Sequence, residues 1–274
     1  MAKYTHDVII VGGGSGGLTA AVGCAQLGLK TALIDKERLG GDCLHYGCVP
    51  SKTLLKSASV YAQMRDGERF GLPGVEPGPI DMDAVNARIA SVIAEIEVHD
   101  SPERFESLGA EVFLGHAEFT SPDEIRFNGD HVLSAKHIIL ATGSSPRVIP
   151  FPGIEETGYI TNLDAFSLPA LPKRIATIGA GPIGSEMAHA YARLGSDVTV
   201  LDVASQMLPR EDADMAEIVQ QRMEADGVTF KLGVKITGVE GSNGAKRIHL
   251  EENGEAFSLD AEELLVAAGR TGNT

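Results

Sequence analysis

The stretch VIIVGGGSGG, residues 8–17, decides the fold that is predicted for this chain. Residues 8–11 make a short apolar strand that runs directly into the glycines, and an alanine-rich helix is predicted to follow. In this order of elements Gly12 makes the tight turn, Gly14 lets a pyrophosphate approach the backbone, and Gly17 allows close packing of helix on strand. The stretch therefore predicts a dinucleotide-binding unit, which a glycine-rich turn alone would not.

Asp35 strengthens this prediction. It ends a second predicted strand, residues 31–34, where a carboxylate can accept hydrogen bonds from the two hydroxyls of a ribose. Cys24, on the helix between the strands, lies among small apolar residues and is expected to belong to the core. The alternative is a glycine-rich turn without a ligand, and the strand, helix and carboxylate around the turn argue against it.

The same pattern returns in the second half of the chain, shifted by a constant number of residues. The counterparts of the three glycines and the aspartate are Gly179, Gly181, Gly184 and Asp202. Two dinucleotide sites in one chain indicate electron transfer between a flavin dinucleotide and a nicotinamide dinucleotide. Because the carboxylate of Asp202 would repel a ribose 2′-phosphate, NAD is predicted rather than NADP, although Arg210 lies close enough in sequence to be a phosphate ligand.

The predicted fold class is α/β, with two Rossmann-like units in three layers around parallel central sheets. The turn-rich segment 144–152 is the predicted boundary, so that residues 1–150 form a first, FAD-binding domain and residues 151–274 a second, NAD(P)-binding domain. Short strands are predicted on both sides of an Asn128-Gly129 hairpin turn. Helices are predicted over residues 83–107, interrupted at Pro102, and over residues 212–226.

A second stretch, GGDCLHYGCVPSK at residues 40–52, contains two of the chain's three cysteines. In a regular α-helix the Cα atoms of Cys43 and Cys48 would lie roughly 8 to 9 Å apart, beyond the reach of a disulfide. A bridge between them therefore requires a distorted helix, which Gly47 and Pro50 permit. A nearby helix N-terminus is expected to lower the thiol pKa, and an easily reduced pair of this kind favours a redox role.

Three other interpretations of these cysteines remain open. They are a structural disulfide, a zinc site formed by Cys43, His45 and Cys48, and two buried, unreactive thiols. Intracellular disulfides are seldom structural, and the spacing is not the two-residue gap of common zinc sites. The redox interpretation is preferred, and no metal site is predicted.

Composition limits the class of protein. With 274 residues, 43% of them hydrophobic, the chain can form one large or two ordinary domains. A formal net charge of −15 argues against nucleic acid or an anionic membrane as a partner. No signal peptide and no membrane-spanning run are recognised, so the cytoplasm is the expected location.

With both glycine-rich units, the two cysteines and an Ala141-Thr142-Gly143 turn, the chain resembles the pyridine nucleotide-disulfide oxidoreductases. The closest resemblance is to the branch of dihydrolipoamide dehydrogenase and mercuric reductase. It implies that the first unit binds FAD and the second NAD(P)H, each through its three glycines and its aspartate. It also implies that the FAD pocket is completed by Gly41, Thr142 and Gly143.

The resemblance further implies a mechanism. Hydride would pass from the nicotinamide to the flavin, and the flavin would reduce the disulfide. Cys48 would face the flavin and Cys43 would exchange with the substrate, while Lys52, paired with Glu186, would lie by flavin N5. The alternative for Lys52 and Glu186 is two solvated surface charges. The implied substrate is a small disulfide or dithiol, or a soft metal ion, and the full-length parent is expected to be a homodimer.

The chain also departs from the family pattern. Asp42 replaces a threonine and His45-Tyr46 replace Asn-Val, which leaves the substrate open; His45 is either a local acid or base or simply polar surface. Gly272 replaces a proline. Family members continue for well over a hundred residues, with a second FAD contact, a dimer interface and an acid–base pair. The chain therefore resembles an N-terminal fragment, and a catalytically incomplete nucleotide-binding module or a thiol redox sensor are the alternative functions.

Overall fold

A computed structural model describes residues 4–274, which divide into two compact units. The first comprises residues up to 50, residues 90–145 and residues 272–274; the second comprises residues 51–89 and 146–271. The division falls within two helices, α3 (Cys48–Arg65) and α4 (Met82–Glu97), between residues 271 and 272, and between residues 145 and 146. The last point lies in the turn-rich segment 144–152, whereas the grouping of residues 51–89 with the second unit was not expected. The two domains remain a prediction.

The first unit is built on a six-stranded sheet. Its strands in spatial order are β3 (Ala110–Leu114), β2 (Thr31–Asp35), β1 (His6–Val11), β6 (His131–Leu140), β5 (Glu124–Phe127) and β4 (Ala117–Ser121). Strands β1, β2 and β3 and the second half of β6 run parallel, while β4, β5 and the first half of β6 form an antiparallel meander. The predicted Asn128-Gly129 turn joins β5 to β6, with φ angles of 46° and 85°.

The apolar residues of β1 face both ways, because both faces of the parallel strands are covered. Val8 and Ile10 pack with Leu18 of helix α1 (Ser15–Gln26) and Phe105 of α5 (Pro102–Ser107). On the other face, β1 packs against the meander through Ile9. This unit therefore has three layers: helices, parallel strands and antiparallel strands.

The second unit repeats these layers. A four-stranded parallel sheet contains, in order, β10 (Val228–Leu232), β9 (Asp197–Asp202), β8 (Arg174–Ile178) and β14 (Glu263–Val266). A separate antiparallel sheet consists of β11 (Lys235–Ser242), β12 (Ala245–Glu252) and β13 (Glu255–Ala261). Ile178 and Leu201 of the first sheet share a core with Ile248 and Leu250 of the second. The predicted α/β class with two Rossmann-like units is confirmed.

Helices α6 (Ile154–Thr157), α7 (Pro182–Leu194) and α8 (Ala213–Ala225) lie wholly in the second unit, and helix α2 (Gly41–His45) lies in the first. Strand β7 (Ser144–Pro146) pairs with β15 (Arg270–Gly272). Strands β12 and β13 were not predicted from sequence. Their Asn253-Gly254 turn has φ angles of 52° and 84°, so it carried the same signal as Asn128-Gly129.

Over residues 4–274, no helix has the length and apolar character needed to cross a membrane.

A buried ionic cluster joins α7 to the end of α8. The Asp226 side chain is only 6% exposed and accepts hydrogen bonds from His189 Nε2 at 2.6 Å and Arg193 Nε at 2.8 Å. Arg222 Nη2 donates to the other carboxylate oxygen at 2.7 Å. Burial lowers the pKa of His189. Burial by itself would raise the pKa of Asp226, but the hydrogen bonds from His189 and Arg193 lower it.

This cluster predicts a loss of stability at mildly acidic pH. Because the pKa of His189 is lower in the folded chain, the unfolded chain takes up the proton first as the pH falls below 6.5, and the free energy of unfolding decreases. Asp226 adds a further loss only at lower pH, where its carboxylate becomes protonated. We expect the free energy of unfolding, measured in urea, to fall less between about pH 7 and about pH 5.5 in His189→Gln than in the wild type. The exposed His116→Gln is the control, and equal decreases in all three proteins would contradict the prediction.

Candidate functional site

The first glycine-rich turn has no room for side chains at two positions. Gly12 has a φ of 110°, and a Cβ atom on it would collide with the carbonyl oxygen of Ala141. A Cβ atom on Gly17 would collide with the carbonyl oxygen of Gly12. Helix α1 can therefore begin directly against the end of β1 only if these positions are glycine. This geometry is the one that the sequence predicts for them.

Asp35 braces the turn from the end of β2. One carboxylate oxygen, Oδ2, accepts the N–H of Gly13 at 2.6 Å. The other, Oδ1, accepts the N–H groups of Glu37 at 2.9 Å and Arg38 at 3.1 Å. Since a carboxylate has about four acceptor positions, Asp35 can hold the turn and still accept from a ribose hydroxyl.

Gly14 and Gly41 bring two helix N-termini together. Gly14 precedes α1 and Gly41 begins α2, and a Cβ atom on Gly41 would lie 2.5 Å from the Cα of Gly14. Over residues 14–26, no side chain caps α1 and no acidic residue lies in its first turn. The N–H groups of this turn are therefore suited to an anion such as a pyrophosphate.

The turn after β6 completes this side of the first unit. The N–H of Ala141 donates to the carbonyl of Val11 at 2.8 Å, so Thr142 and Gly143 follow directly beside the glycine-rich turn. Asn273 holds them: Thr142 Oγ1 donates to the Asn273 carbonyl at 2.6 Å, and the Asn273 N–H donates to the Gly143 carbonyl at 3.0 Å. Asn273 was not predicted from the sequence, because its partners lie far away along the chain.

The second glycine-rich turn has the same construction. Gly179 has a φ of 108° and lies against the carbonyl of Ala267, and a Cβ atom on Gly184 would collide with the carbonyl of Gly179. Asp202 accepts the N–H of Ala180 at 2.7 Å through Oδ2 and that of Ala204 at 2.8 Å through Oδ1.

The middle glycine of this turn faces open space. Among the described residues, no heavy atom outside its immediate neighbours lies within 4 Å of a Cβ position on Gly181. Gly181 precedes α7, and no acidic residue lies in the first turn of that helix, residues 182–194. The segment Ala267-Ala268-Gly269, after β14, corresponds to Ala141-Thr142-Gly143 after β6. This second copy was not predicted, although Gly269, shortly after the apolar run 264–268, was a signal for it.

The two cysteines lie on either side of a break between helices. Cys43 belongs to α2 and Cys48 begins α3, with Tyr46 and Gly47 between the helices. A Cβ atom on Gly47 would lie 2.9 Å from the Asp42 carbonyl oxygen and 3.2 Å from the Cα of Cys43. The distortion that a bridge requires is therefore present, and Gly47 allows it. Both cysteines are thiols in this structure.

The protonation of Cys43 differs from the sequence prediction. Burial, a hydrogen bond with the Cys48 thiol and the nearby charge of Asp100 raise the pKa of Cys43 to about 11. The prediction that a helix N-terminus lowers the thiol pKa is wrong for Cys43, because the loss of hydration and the second sulfur outweigh the helix dipole. At neutral pH Cys43 therefore holds its proton.

His45 is not the exposed polar residue that was one of the two expectations for it. Its ring is buried, and Nε2 donates to the carbonyl of Leu39 at 2.9 Å. This contact ties the end of α2 to the segment before it. In the part of the chain that the structure describes, no three histidine, cysteine, aspartate or glutamate side chains are arranged to hold a metal ion.

Lys52 and Glu186 form an ion pair within the second unit. Lys52 Nζ, on α3, donates to both carboxylate oxygens of Glu186, on α7, at 2.7 and 2.6 Å. Their side chains are 61% and 38% exposed, so the pair contributes little to stability. The predicted pairing of Lys52 with Glu186 is confirmed, while a role beside a flavin remains a prediction.

Comparisons with known proteins place these features in context. A family model described as pyridine nucleotide-disulphide oxidoreductase matches residues 6–274. The mitochondrial dihydrolipoyl dehydrogenase of Pisum sativum is 36% identical, over 97% of this chain and 54% of that protein. A mercuric reductase of Lysinibacillus sphaericus is 29% identical, over 98% of this chain and 49% of that protein.

Comparison with solved structures also finds a flavoprotein disulfide reductase. A Cu(II) complex of a cysteine-to-serine mutant of the HOCl-induced flavoprotein disulfide reductase RclA from Escherichia coli matches with a TM-score of 0.82 and 28% identity. The match covers 100% of this chain and 58% of that one. The chain thus spans about half the length of the curated relatives that it matches.

The first turn offers a matched pair of substitutions on neighbouring glycines. Gly17→Ala places a methyl group against the Gly12 carbonyl, and we expect it to lower the free energy of unfolding by about 1–3 kcal/mol. Among the described residues, nothing outside the helix lies within 4 Å of a Cβ position on Gly16, so Gly16→Ala is expected to raise it by up to about 1 kcal/mol. Urea unfolding of both variants would measure these changes, and effects of the same sign would refute the proposed close contact.

Proposed function

Since this chain belongs to the pyridine nucleotide-disulphide oxidoreductase family, we propose that it is the part of an oxidoreductase that binds a flavin and a nicotinamide dinucleotide and carries the reactive dithiol. The observation that carries this proposal is the hydrogen-bonded pair Cys43 and Cys48 at a helix break that directly follows Gly41. Through Gly41, the dithiol segment contacts the glycine-rich turn at Gly14.

Family membership and the flavoprotein neighbour imply a flavin and a pyridine nucleotide as cofactors. We assign FAD to the first turn and NAD to the second. The residues around the first turn fit a dinucleotide: an uncapped helix N-terminus at Gly14, a braced carboxylate at Asp35, and the Thr142-Gly143 turn beside them. When bound, FAD would carry two electrons between the nicotinamide and the disulfide.

The dithiol chemistry follows from the state of Cys43. Reduction of a Cys43–Cys48 disulfide breaks the S–S bond with two electrons, and Cys43 takes up the first proton because its pKa is raised. To attack a substrate disulfide, Cys43 must lose that proton again, since only a thiolate is a nucleophile. With a pKa of about 11 it needs a base. We propose that this base comes from sequence beyond this chain, as the resemblance implies.

The substrate that we propose is a small disulfide or dithiol, with a soft metal ion as the second candidate. The relatives named dihydrolipoyl dehydrogenase and mercuric reductase represent both kinds of chemistry. Asp42 and Tyr46, which differ from the family pattern, lie close to the two cysteines in the sequence. The choice between the two kinds of substrate therefore depends on positions at which this chain departs from the family. We further propose that the full-length protein is a cytoplasmic homodimer.

A specific observation favours the alternative of an incomplete module. Over residues 137–140, β6 pairs with β1 on one side, and no described strand pairs with its other side. Leu140, next to the Thr142-Gly143 turn, is 62% exposed. A flavin site that borders this edge would need further sequence to close it.

The visible absorption spectrum of the purified chain, incubated with FAD and then treated with anaerobic NADH, tests the proposal. We expect a yellow protein that bleaches on addition of NADH. A colourless protein would support the incomplete module. A yellow protein that NADH does not reduce, although Cys43 and Cys48 oxidise reversibly, would refute the proposal and favour a thiol redox sensor.

The choice of NAD over NADP depends on the charge of Asp202. We expect NADH to bind about tenfold or more tightly than NADPH, because the carboxylate repels a 2′-phosphate. Asp202→Asn removes the charge and keeps one of the two acceptor oxygens, and it should reduce this preference. Nucleotide fluorescence titration would measure both affinities, with the exposed Asp197→Asn as control. Tighter binding of NADPH by the wild type would overturn the assignment.

A further inference from the structure

The loop between the two thiols is held by the segment that follows β2. Arg38 Nη2 donates a hydrogen bond to the phenolic oxygen of Tyr46 at 3.0 Å. The guanidinium carbon of Arg38 also lies 5.7 Å from the centroid of the Tyr46 ring. Arg38 and Tyr46 are thus joined both by a hydrogen bond and by a cation–π contact. We call this contact the Arg38–Tyr46 clamp.

Both ends of the clamp have a fixed backbone. The N–H of Arg38 donates to Asp35 Oδ1 at 3.1 Å, and the N–H of Tyr46 donates to the carbonyl of Asp42 at 2.9 Å. The neighbouring His45 is bound to Leu39 in the same direction. His45 and Tyr46, the pair of residues that differs from the family pattern, therefore both attach the loop to residues 38–39.

We propose that the Arg38–Tyr46 clamp positions the dithiol and favours closure of the Cys43–Cys48 disulfide. In the reduced chain the loop would keep more freedom without the clamp, and forming the bond would remove that freedom at an entropic cost. The clamp removes part of the freedom beforehand. Arg38 and Tyr46 are positioning residues, because their contact holds the loop. The inference rests on the proposed function, in which this pair cycles between dithiol and disulfide.

The test is the equilibrium of the 274-residue protein with oxidised and reduced glutathione. Closure joins the two protein sulfurs, and their two electrons and two protons convert one glutathione disulfide to two thiols. Acid quenching, alkylation and peptide mass spectrometry would give the fraction of Cys43–Cys48 disulfide. We expect Arg38→Gln and Tyr46→Phe each to lower the equilibrium constant about three- to fivefold. The double variant should fall no further than Arg38→Gln alone, because that substitution already removes the guanidinium from both contacts, whereas Tyr46→Phe removes only the hydrogen bond.

Two control variants remove similar contacts elsewhere. Tyr61→Phe loses a hydrogen bond to the Gly78 carbonyl at 3.1 Å, and Arg126→Gln loses an ion pair with Glu118 at 2.8 Å. Both should leave the glutathione equilibrium unchanged. A general loss of stability would lower the unfolding midpoint of all the variants alike, whereas only the clamp variants should shift the equilibrium.

The other outcomes are decisive as well. Unchanged equilibrium constants in the clamp variants would overturn the inference and leave the proposed function standing. A shift toward the disulfide would also overturn it, since the clamp would then belong to the dithiol state alone. If the wild-type protein forms no Cys43–Cys48 disulfide at any glutathione ratio, the proposed function and the inference fail together.

Discussion

Each unit depends on one contact between two stretches of backbone. The carbonyl oxygen of the first glycine in the turn occupies the space that a side chain on the third glycine would need, at Gly12 and Gly17 and again at Gly179 and Gly184. This contact sets the first turn of the helix directly against the end of the strand. The helix N-terminus is thereby fixed at the carboxyl edge of the parallel sheet, which is where open α/β sheets bind their ligands.

The carboxylates at the ends of the second strands depend on this contact. Asp35 and Asp202 each accept the N–H of the residue after the first glycine, which is within reach only because the turn is so tight. In the first unit the same segment continues to the dithiol, and the N–H of Gly40 donates to the carbonyl of Gly13 at 2.8 Å. The positions of the glycine-rich turn and of the segment that leads to the two thiols are therefore set by one continuous network of hydrogen bonds.

The position of the two thiols determines how easily Cys43 ionises. Gly47 lets α3 begin close to Cys43, and this closeness together with burial makes Cys43 difficult to ionise. The arrangement thus favours contact between the sulfurs at the expense of the thiolate that exchange requires. A base is needed to complete the chemistry, and it is the component that the proposed function assigns to sequence beyond this chain.

The sequence by itself determined the features whose cause is local. Glycine turns, the aspartates after the strands and the Asn128-Gly129 hairpin follow from backbone angles and close approaches that few residues allow. The second antiparallel sheet was overlooked, although its Asn253-Gly254 turn had the same local signature.

Only the tertiary structure decided the environment of the site. It buried His45 against Leu39, raised the pKa of Cys43, and brought Asn273 to the Thr142-Gly143 turn. Each of these depends on residues that are distant in sequence or on exclusion of water. Burial and long-range pairing arise from how whole elements pack, and no local pattern encodes them.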